Sequence, residues 1–481
     1  MQQPTDSIVL ESIRDNNMIF VTVQPDNTYF HWQVEIYLYQ FAKHGIADRC
    51  YALFGYTGDA PSEYATNLAK RSVCPNIKFY KDEREQKDYA PSIRPHVMAK
   101  FFKENPNLGK NVFYHDSDIF LTKLPRFDLM LQPHDNISYV SDTISYIGYE
   151  YIKECSTRYK SAHPKLPDLD IFNNMCRIVG IDKPLVISNQ RNSGGAQYLL
   201  KNVDHEYWAE CEKKCVELYA YLSEYEKTYP VGHHIQKWTT DMWVVFWLHL
   251  KRGHKVLVHK ELDFSWATST TKEYENLNIF HLAGITGTNC SDKFYKGKFT
   301  ATSIFDAYLK NPAIFGHISK NNATYPYTEV IKEYVQNVYM PFKGITSINL
   351  PQEGSNINPN MAIAAANRKN SYARRGEGRS GARSIPNPVP RTTPITRFKI
   401  SSTNLYDGVF HQDQNTKCCE KPIWRSDNGT YVVFWTGSHW VMTYTGYIDQ
   451  IGPNCGGLIS NSSDDPYTNN WNTSDMIINS L

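Results

Sequence analysis

The chain has almost no excess charge of either sign. Lys and Arg total 51 against 49 Asp and Glu, a net charge of +2 over 481 residues, so the total implies no basic face for nucleic acid. Long apolar runs are also missing. Residues 18–23 form an apolar stretch far too short to span a bilayer. Residues 1–17 are polar and charged, without a basic segment leading into an apolar one. The expectation is a cytoplasmic protein with no integral membrane segment. The ten cysteines contain no paired CxxC framework, which argues against zinc. Cys211 and Cys215, four apart in an expected helix, read as packing residues. Glycosylation sequons at Asn136, Asn289, Asn322, Asn428, Asn461 and Asn472 read mostly as chance in an Asn-rich chain.

What is present fits a globular protein of two or three domains, with 41% hydrophobic and 21% charged residues. Aromatics reach 14%, including 33 Tyr and 10 Trp, a content that suits carbohydrate contact or an aromatic-rich core. The most informative stretch is Asn111-Val-Phe-Tyr-His-Asp-Ser-Asp118. Residues 111–114 read as a buried strand. Asp116 and Asp118 follow two positions apart, so both side chains reach one side of an extended segment. Carboxylates that close repel unless a cation lies between them. Mg²⁺ or Mn²⁺ carrying a phosphate-bearing substrate suits two hard oxygen ligands; a solvated turn is the alternative.

Around this stretch, residues 18–340 alternate strand and helix. Strands are expected at 18–23, 49–54, 76–80, 111–114, 136–142, 184–187, 197–200, 255–259 and 278–282. Helices are expected at 29–44, 95–104, 149–159, 206–225 and 239–253. This rhythm predicts an α/β fold with a largely parallel sheet and helices on its faces. Residues 352–393 are rich in Gly, Asn, Ser, Arg and Pro and read as a flexible linker. Residues 395–481 show strand-like segments separated by the hairpin signals Asp427-Asn-Gly429 and Thr436-Gly-Ser438. They predict a small antiparallel β module. Trp424, Trp435, Trp440 and Trp471 either build its core or stack on sugars. Cys418, Cys419 and Cys455 allow one disulfide or a reduced set. The expected domains are therefore 1–345, a linker over 346–394, and 395–481.

Four features follow in order through the first domain: His115-Asp-Ser-Asp118, Asn192-Ser-Gly-Gly195, Thr239-Thr-Asp-Met242 and His281-Leu-Ala-Gly284. The glycines after Asn192 and Ser193 would let backbone approach a ligand, or simply form a tight turn. Asp241 lies in an apolar helical stretch where an unpaired carboxylate is costly, unless it caps the helix. His281 ends a strand and either completes a metal site or is a hydrogen-bonded core histidine.

The order of the four resembles metal-dependent glycosyltransferases of the A-type, Rossmann-like fold. The likeness is strongest to retaining ones such as glycogenin-like enzymes, peptidyl serine galactosyltransferases and hydroxyproline arabinosyltransferases. It covers roughly residues 18–300. It implies transfer of a hexose or pentose from a nucleotide sugar, UDP-linked by expectation, to a glycan or glycoprotein acceptor, with retention. It implies Mn²⁺ or Mg²⁺ held by Asp116, Asp118 and His281. His115, Asp116, Ser117, Asn192, Ser193 and Gly194 are then expected at the donor, with Asp241 catalytic. The lysine that usually follows His-x-x-Gly is absent at the usual spacing, so Lys293 or Lys296 must stand in for it. Arg94 is expected to add a cation to the donor, and Thr22 and Gln24 to line the nucleobase. Two other readings remain: a glycoside hydrolase using paired carboxylates, and a non-catalytic lectin-like protein.

Overall fold

The computed structural model describes residues 4–347, apart from 133–135, 166–169, 230 and 232–233, together with seven strands between residues 397 and 480. The expected linker at 346–394 lies almost wholly outside the described residues. The chain divides into two compact units, Met1–Ile285 with Asp292–Pro351, and Thr286–Ser291 with Gln352–Leu481.

The first unit is mixed α/β. Its strands are β1 (Ile19–Pro25), β2 (Cys50–Tyr56), β3 (Asn76–Lys81), β4 (Asn111–His115), β5 (Ile119–Leu121), β6 (Ile137–Asp142), β7 (Gly194–Lys201), β8 (Lys255–Val258), β9 (Phe264–Trp266) and β10 (Ile279–His281). A seven-stranded sheet has the order β3-β2-β1-β4-β7-β6-β8, and a three-stranded sheet the order β5-β10-β9. The large sheet is parallel except at β7, which runs against both β4 and β6.

Strand alternation sorts side chains between two helical layers. Ile19, Val21, Val112, Tyr114, Tyr198 and Leu200 face one core, with Val97 and Phe101 of helix Ile93–Glu104 and Trp243 and Trp247 of helix Thr240–Lys251. Phe20, Phe113 and Leu199 face the other, with Val34, Tyr37 and Phe41 of helix Thr28–Lys43. Side-chain caps start the helices cleanly: Asn27 accepts from the Phe30 N–H and Asp204 from the Tyr207 N–H. Trp32, Trp208, Trp243 and Trp247 are fully buried, so much of the aromatic content serves the core. No described helix is long and apolar enough to cross a membrane.

One expected strand is a helix instead. Residues 184–187 lie in helix Lys183–Ser188, with Asp182 at its N-cap and Pro184 in its first turn. There the missing proline N–H costs nothing and the fixed φ suits the helix; a four-residue apolar run carries no period that separates the two. Gly194 and Gly195, expected either to let backbone approach a ligand or to form a tight turn, open β7. Cys211 and Cys215 are buried free thiols, as packing residues should be. One sequon is closed by the fold: Asn322 is buried and donates to the Ala267 and Ser269 carbonyls, whereas Asn136 is exposed and accepts from Asn202.

The second unit contains β11 (Arg397–Ser401), β12 (Gly408–Cys418), β13 (Lys421–Ser426), β14 (Tyr431–Trp435), β15 (Trp440–Tyr444), β16 (Leu458–Ser460) and β17 (Ile477–Ser480). They form one antiparallel sheet ordered β16-β15-β14-β13-β12-β11-β17. Trp424 is buried and stands opposite the buried Val433. The turn signals at 427–429 and 436–438, the cysteine side chains at 418, 419 and 455, and the side chains of Trp435, Trp440 and Trp471 lie outside the described residues.

A buried imidazole ties stability of the first unit to pH. His249, on helix Thr240–Lys251, sits with Nε2 2.6 Å from Ser138 Oγ, and its ring stacks on His254 at 4.0 Å. Burial, then His254 and Arg252, lower its pKa well below the ordinary 6.5. The folded state therefore favours the neutral ring. Its contribution is intact above about pH 6.5 and is lost as the pH falls below that value, because the unfolded chain takes up the proton first. Melting temperature is expected to drop between pH 7.5 and pH 5, and His249→Gln should shrink that drop in a calorimetric pH series.

Candidate active site

The carboxyl ends of β4 and β10 converge beneath the start of helix Ile93–Glu104. β4 delivers Asp116, Ser117 and Asp118; β10 ends on His281 and pairs antiparallel with β5, with His281 opposite Ile119. His281 Nε2 lies 3.6 Å from Asp116 Oδ2 and 3.4 Å from Asp118 Oδ1. One ligand atom from each of the three lies within 4.8 Å of the others, which makes them a possible metal-binding group. The imidazole is fixed from behind. Its Nδ1 is 3.5 Å from Gln197 Nε2, Gln197 Oε1 accepts from Ser141 at 2.7 Å, and the ring stacks on Trp266.

Cations flank the carboxylates. Lys296 Nζ forms an ion pair with Asp118 Oδ2. Burial alone would raise the Asp118 pKa, but Lys296 and His281 outweigh it and hold the carboxylate below its ordinary range. On the other side Arg94, the second residue of its helix, lies 2.7 Å from Asp116 Oδ1 and 3.3 Å from Asp241 Oδ2. The Tyr89 hydroxyl donates to Asp241 Oδ1 at 2.7 Å and accepts from the Asp241 N–H at 3.0 Å. Burial raises the Asp241 pKa, against the pull of Arg94. Asp241 sits in the first turn of its helix rather than at the N-cap, which is Thr239.

These groups open onto a cavity of about 250 Å³. Of the residues expected at the site, Gln24, Arg94, Asp116, Ser117, Asp118, His281 and Lys296 line it. Lys296, not Lys293, reaches it; Lys293 pairs with Asp292. Asp241 joins through Arg94.

The structure does not bring the other expected donor residues to the cavity wall. His115 continues the face of Phe113 and packs against Tyr37 and Phe41 on the far side of the sheet, its pKa lowered to about 4 by burial. Thr22 is buried behind Gln24, whose amide reaches its hydroxyl at 3.5 Å. Asn192 Oδ1 accepts from the Val258 N–H at 3.4 Å, and Ser193 is buried. A Cβ on Gly194 would lie 2.3 Å from the Ser141 carbonyl, and one on Gly195 2.4 Å from the Tyr198 hydroxyl. These glycines admit protein neighbours rather than a ligand. Ala196, two residues on, lines the cavity with φ at +66°, a backbone conformation strained for a residue with a Cβ.

The residues the sequence did not single out are mostly aromatic. Tyr29, Phe30 and Gln33 come from the first turns of helix Thr28–Lys43; Tyr146, Trp238, Met242, Trp266 and Ala283 complete the wall. Two signals were available. Tyr29-Phe30 begins a helix just after β1, and Trp238 precedes Asp241 by three.

No protein-family model matches the chain, and no curated protein matches it. Among solved structures it is similar to the galactosyltransferase LgtC in complex with donor and acceptor sugar analogs, at 13% identity over 55% of this chain and 86% of that one, with a TM-score of 0.29. It is similar to the bifunctional glycosyltransferase WbbM at 13% identity, over 66% and 52% of the two chains, with a TM-score of 0.32. The glycosyltransferase GlyE of Streptococcus pneumoniae matches at 9% identity, over 66% and 62%, with a TM-score of 0.29. Likeness at these scores is too distant to carry function, which is read from the site.

Proposed function

We propose that the chain is a metal-dependent, retaining glycosyltransferase of the A-type fold that moves a sugar from a nucleotide donor, UDP-linked by preference, to a glycan or glycoprotein. Residues 1–345 are the catalytic domain, 346–394 a linker and 395–481 an accessory β module. The observation that carries the reading is the convergence of Asp116, Asp118 and His281 in a cavity flanked by Lys296 and Arg94.

The donor set fits Mn²⁺ or Mg²⁺. Two carboxylates supply hard oxygen ligands and one imidazole a borderline nitrogen, and the three leave coordination positions for phosphate oxygens. For Nε2 of His281 to ligate the ion, its Nδ1 must carry the proton, and the Gln197 side chain 3.5 Å away would turn its amide oxygen toward it to accept. When bound, the ion would stabilise charge developing on the departing diphosphate. Lys296 and Arg94 stand where they can turn from their carboxylates to the donor's phosphates. Gln24, Tyr29 and Phe30 form a wall suited to a flat base. Asp241, fixed by Tyr89, orients the transferred sugar and the acceptor and offsets positive charge building on the sugar.

A hydrolase would need one carboxyl of a close pair held protonated as its acid. Asp118 is held ionised by Lys296 and His281, and Arg94 stands between Asp116 and Asp241. Both features favour transfer over hydrolysis.

The test is thermal. UDP-glucose, UDP-galactose and UDP-N-acetylglucosamine, each with Mn²⁺ or Mg²⁺, are scanned against the full chain. A ligand at a hundredfold excess over its Kd adds about 2.7 kcal/mol to the native state, and one such pair is expected to raise the melting temperature. No shift with any nucleotide sugar and either ion would overturn the reading.

A further inference from the structure

Six large hydrophobic side chains are strongly exposed among the described residues, and of these Trp238, at 62%, alone lines the cavity. Packing does not explain it, since five other tryptophans are fully buried among the described residues. Loose backbone does not explain it either. The segment is a 3-10 turn, Lys237–Thr239. The Trp238 carbonyl lies 2.9 Å from the Tyr89 hydroxyl that also holds Asp241. Thr239 Oγ1 and Thr240 Oγ1 bond back to the Gln236 and Lys237 carbonyls at 2.8 and 2.6 Å. The Lys237 ammonium pairs with Glu226. A firmly held backbone thus presents a bare indole at the rim of the site.

The order of contacts across the cavity says which end this is. Tyr29 stands beside Lys296, which pairs with Asp118. Asp118 is followed by His281 and then Asp116. From Asp116 the chain of contacts runs through Arg94 to Asp241, then to Tyr89 and the carbonyl of Trp238. One aromatic group therefore lies at the Lys296 end and Trp238 at the Asp241 end, with the metal-binding group between them. On the transferase reading a nucleotide would take the Lys296 end, with its base against Tyr29 and its phosphates beside Lys296. The other end is left to a group that approaches from solvent.

We infer that Trp238 is the platform for a carbohydrate acceptor, its indole covering the apolar face of a pyranose ring placed next to Asp241. The inference rests on the transferase reading above. A sugar has a C–H face and a hydroxyl rim. A broad indole beside a carboxylate and a guanidinium meets both, the face by apolar contact and the rim by hydrogen bonds.

The experiment uses the full chain with Mn²⁺ and UDP. Methyl β-galactopyranoside, methyl β-glucopyranoside and methyl α-mannopyranoside serve as probes in saturation-transfer NMR titrations. At least one is expected to bind, with saturation strongest on the hydrogens of one ring face. Trp238→Ala should weaken that binding about tenfold, the scale of one lost aromatic contact, and Trp238→Phe should recover most of it. The Kd of UDP with Mn²⁺ should stay within about twofold in both variants. Three results would overturn the inference: no pyranoside binding to the wild-type protein holding UDP, unchanged binding in Trp238→Ala, or a UDP Kd that weakens in step, which would make the indole a base platform. Wild-type protein that binds no UDP with Mn²⁺ fails the transferase reading itself, and this inference falls with it.

Discussion

Asp118→Asn is expected to abolish both the Mn²⁺-dependent thermal shift and sugar transfer. The side chain keeps its shape and loses its charge. With the charge goes one of two anionic ligands beside His281 and the counter-ion of Lys296. The ammonium is then left in a largely buried position without its partner, a costly arrangement. Turnover should fall on the order of 10³-fold, at the upper end of what one preorganised electrostatic group contributes. Isothermal titration with Mn²⁺ and UDP separates this from unfolding, since circular dichroism should be unchanged. Metal binding as tight as in the wild-type protein would remove Asp118 from the ligand set.

Asp241→Asn should separate binding from chemistry. The amide can still accept from Tyr89, and Arg94 keeps Asp116 as its partner. Donor and metal affinities are therefore expected within about threefold of wild type, while kcat falls about 10²–10³-fold. Product analysis by NMR should show the donor's anomeric configuration kept in the wild-type enzyme. An inverted linkage would end the retaining assignment and leave transfer standing, with Asp241 recast as a base. An unchanged kcat would place the residue outside the chemistry.

Local pattern made part of this legible from residues alone. The apolar run before Asp116 marks β4, and the i, i+2 spacing puts the carboxylates together. His281 was readable as a strand end beside Gly284. The two-residue strand period also explains where His115 goes: it shares the parity of Phe113, hence that residue's face, and turns away from Asp116. Asn192 and Gly194 misled because a Gly-Gly pair signals close approach without saying of what; here Val140, Ser141, Tyr198 and Met242 come close. The aromatic wall was hidden for a different reason. Tyr29, Tyr146, Trp238 and Trp266 lie far apart in the chain, and except for the place of Tyr29 just after β1 and of Trp238 just before Asp241, nothing local distinguishes them from tryptophans and tyrosines of the core. Helix Lys183–Ser188 was hidden by its length, too short to show a period.

The reversed strand β7 also sets a timetable for synthesis. β4 pairs with β1, already made, but its other edge waits for β7, with Gln197 opposite His115. Until then Val112, Phe113 and Tyr114 present an open strand edge, an invitation to self-association on the ribosome. The two aspartates emerge before their imidazole by roughly 8–30 seconds at ordinary elongation rates. A nascent chain stopped between β7 and β10 would have its edge covered and both carboxylates in place, yet no His281 and no Lys296 to balance them. Arg94 is already there for Asp116, so it is Asp118 whose charge is accommodated last, first by His281 at the end of β10 and then by Lys296.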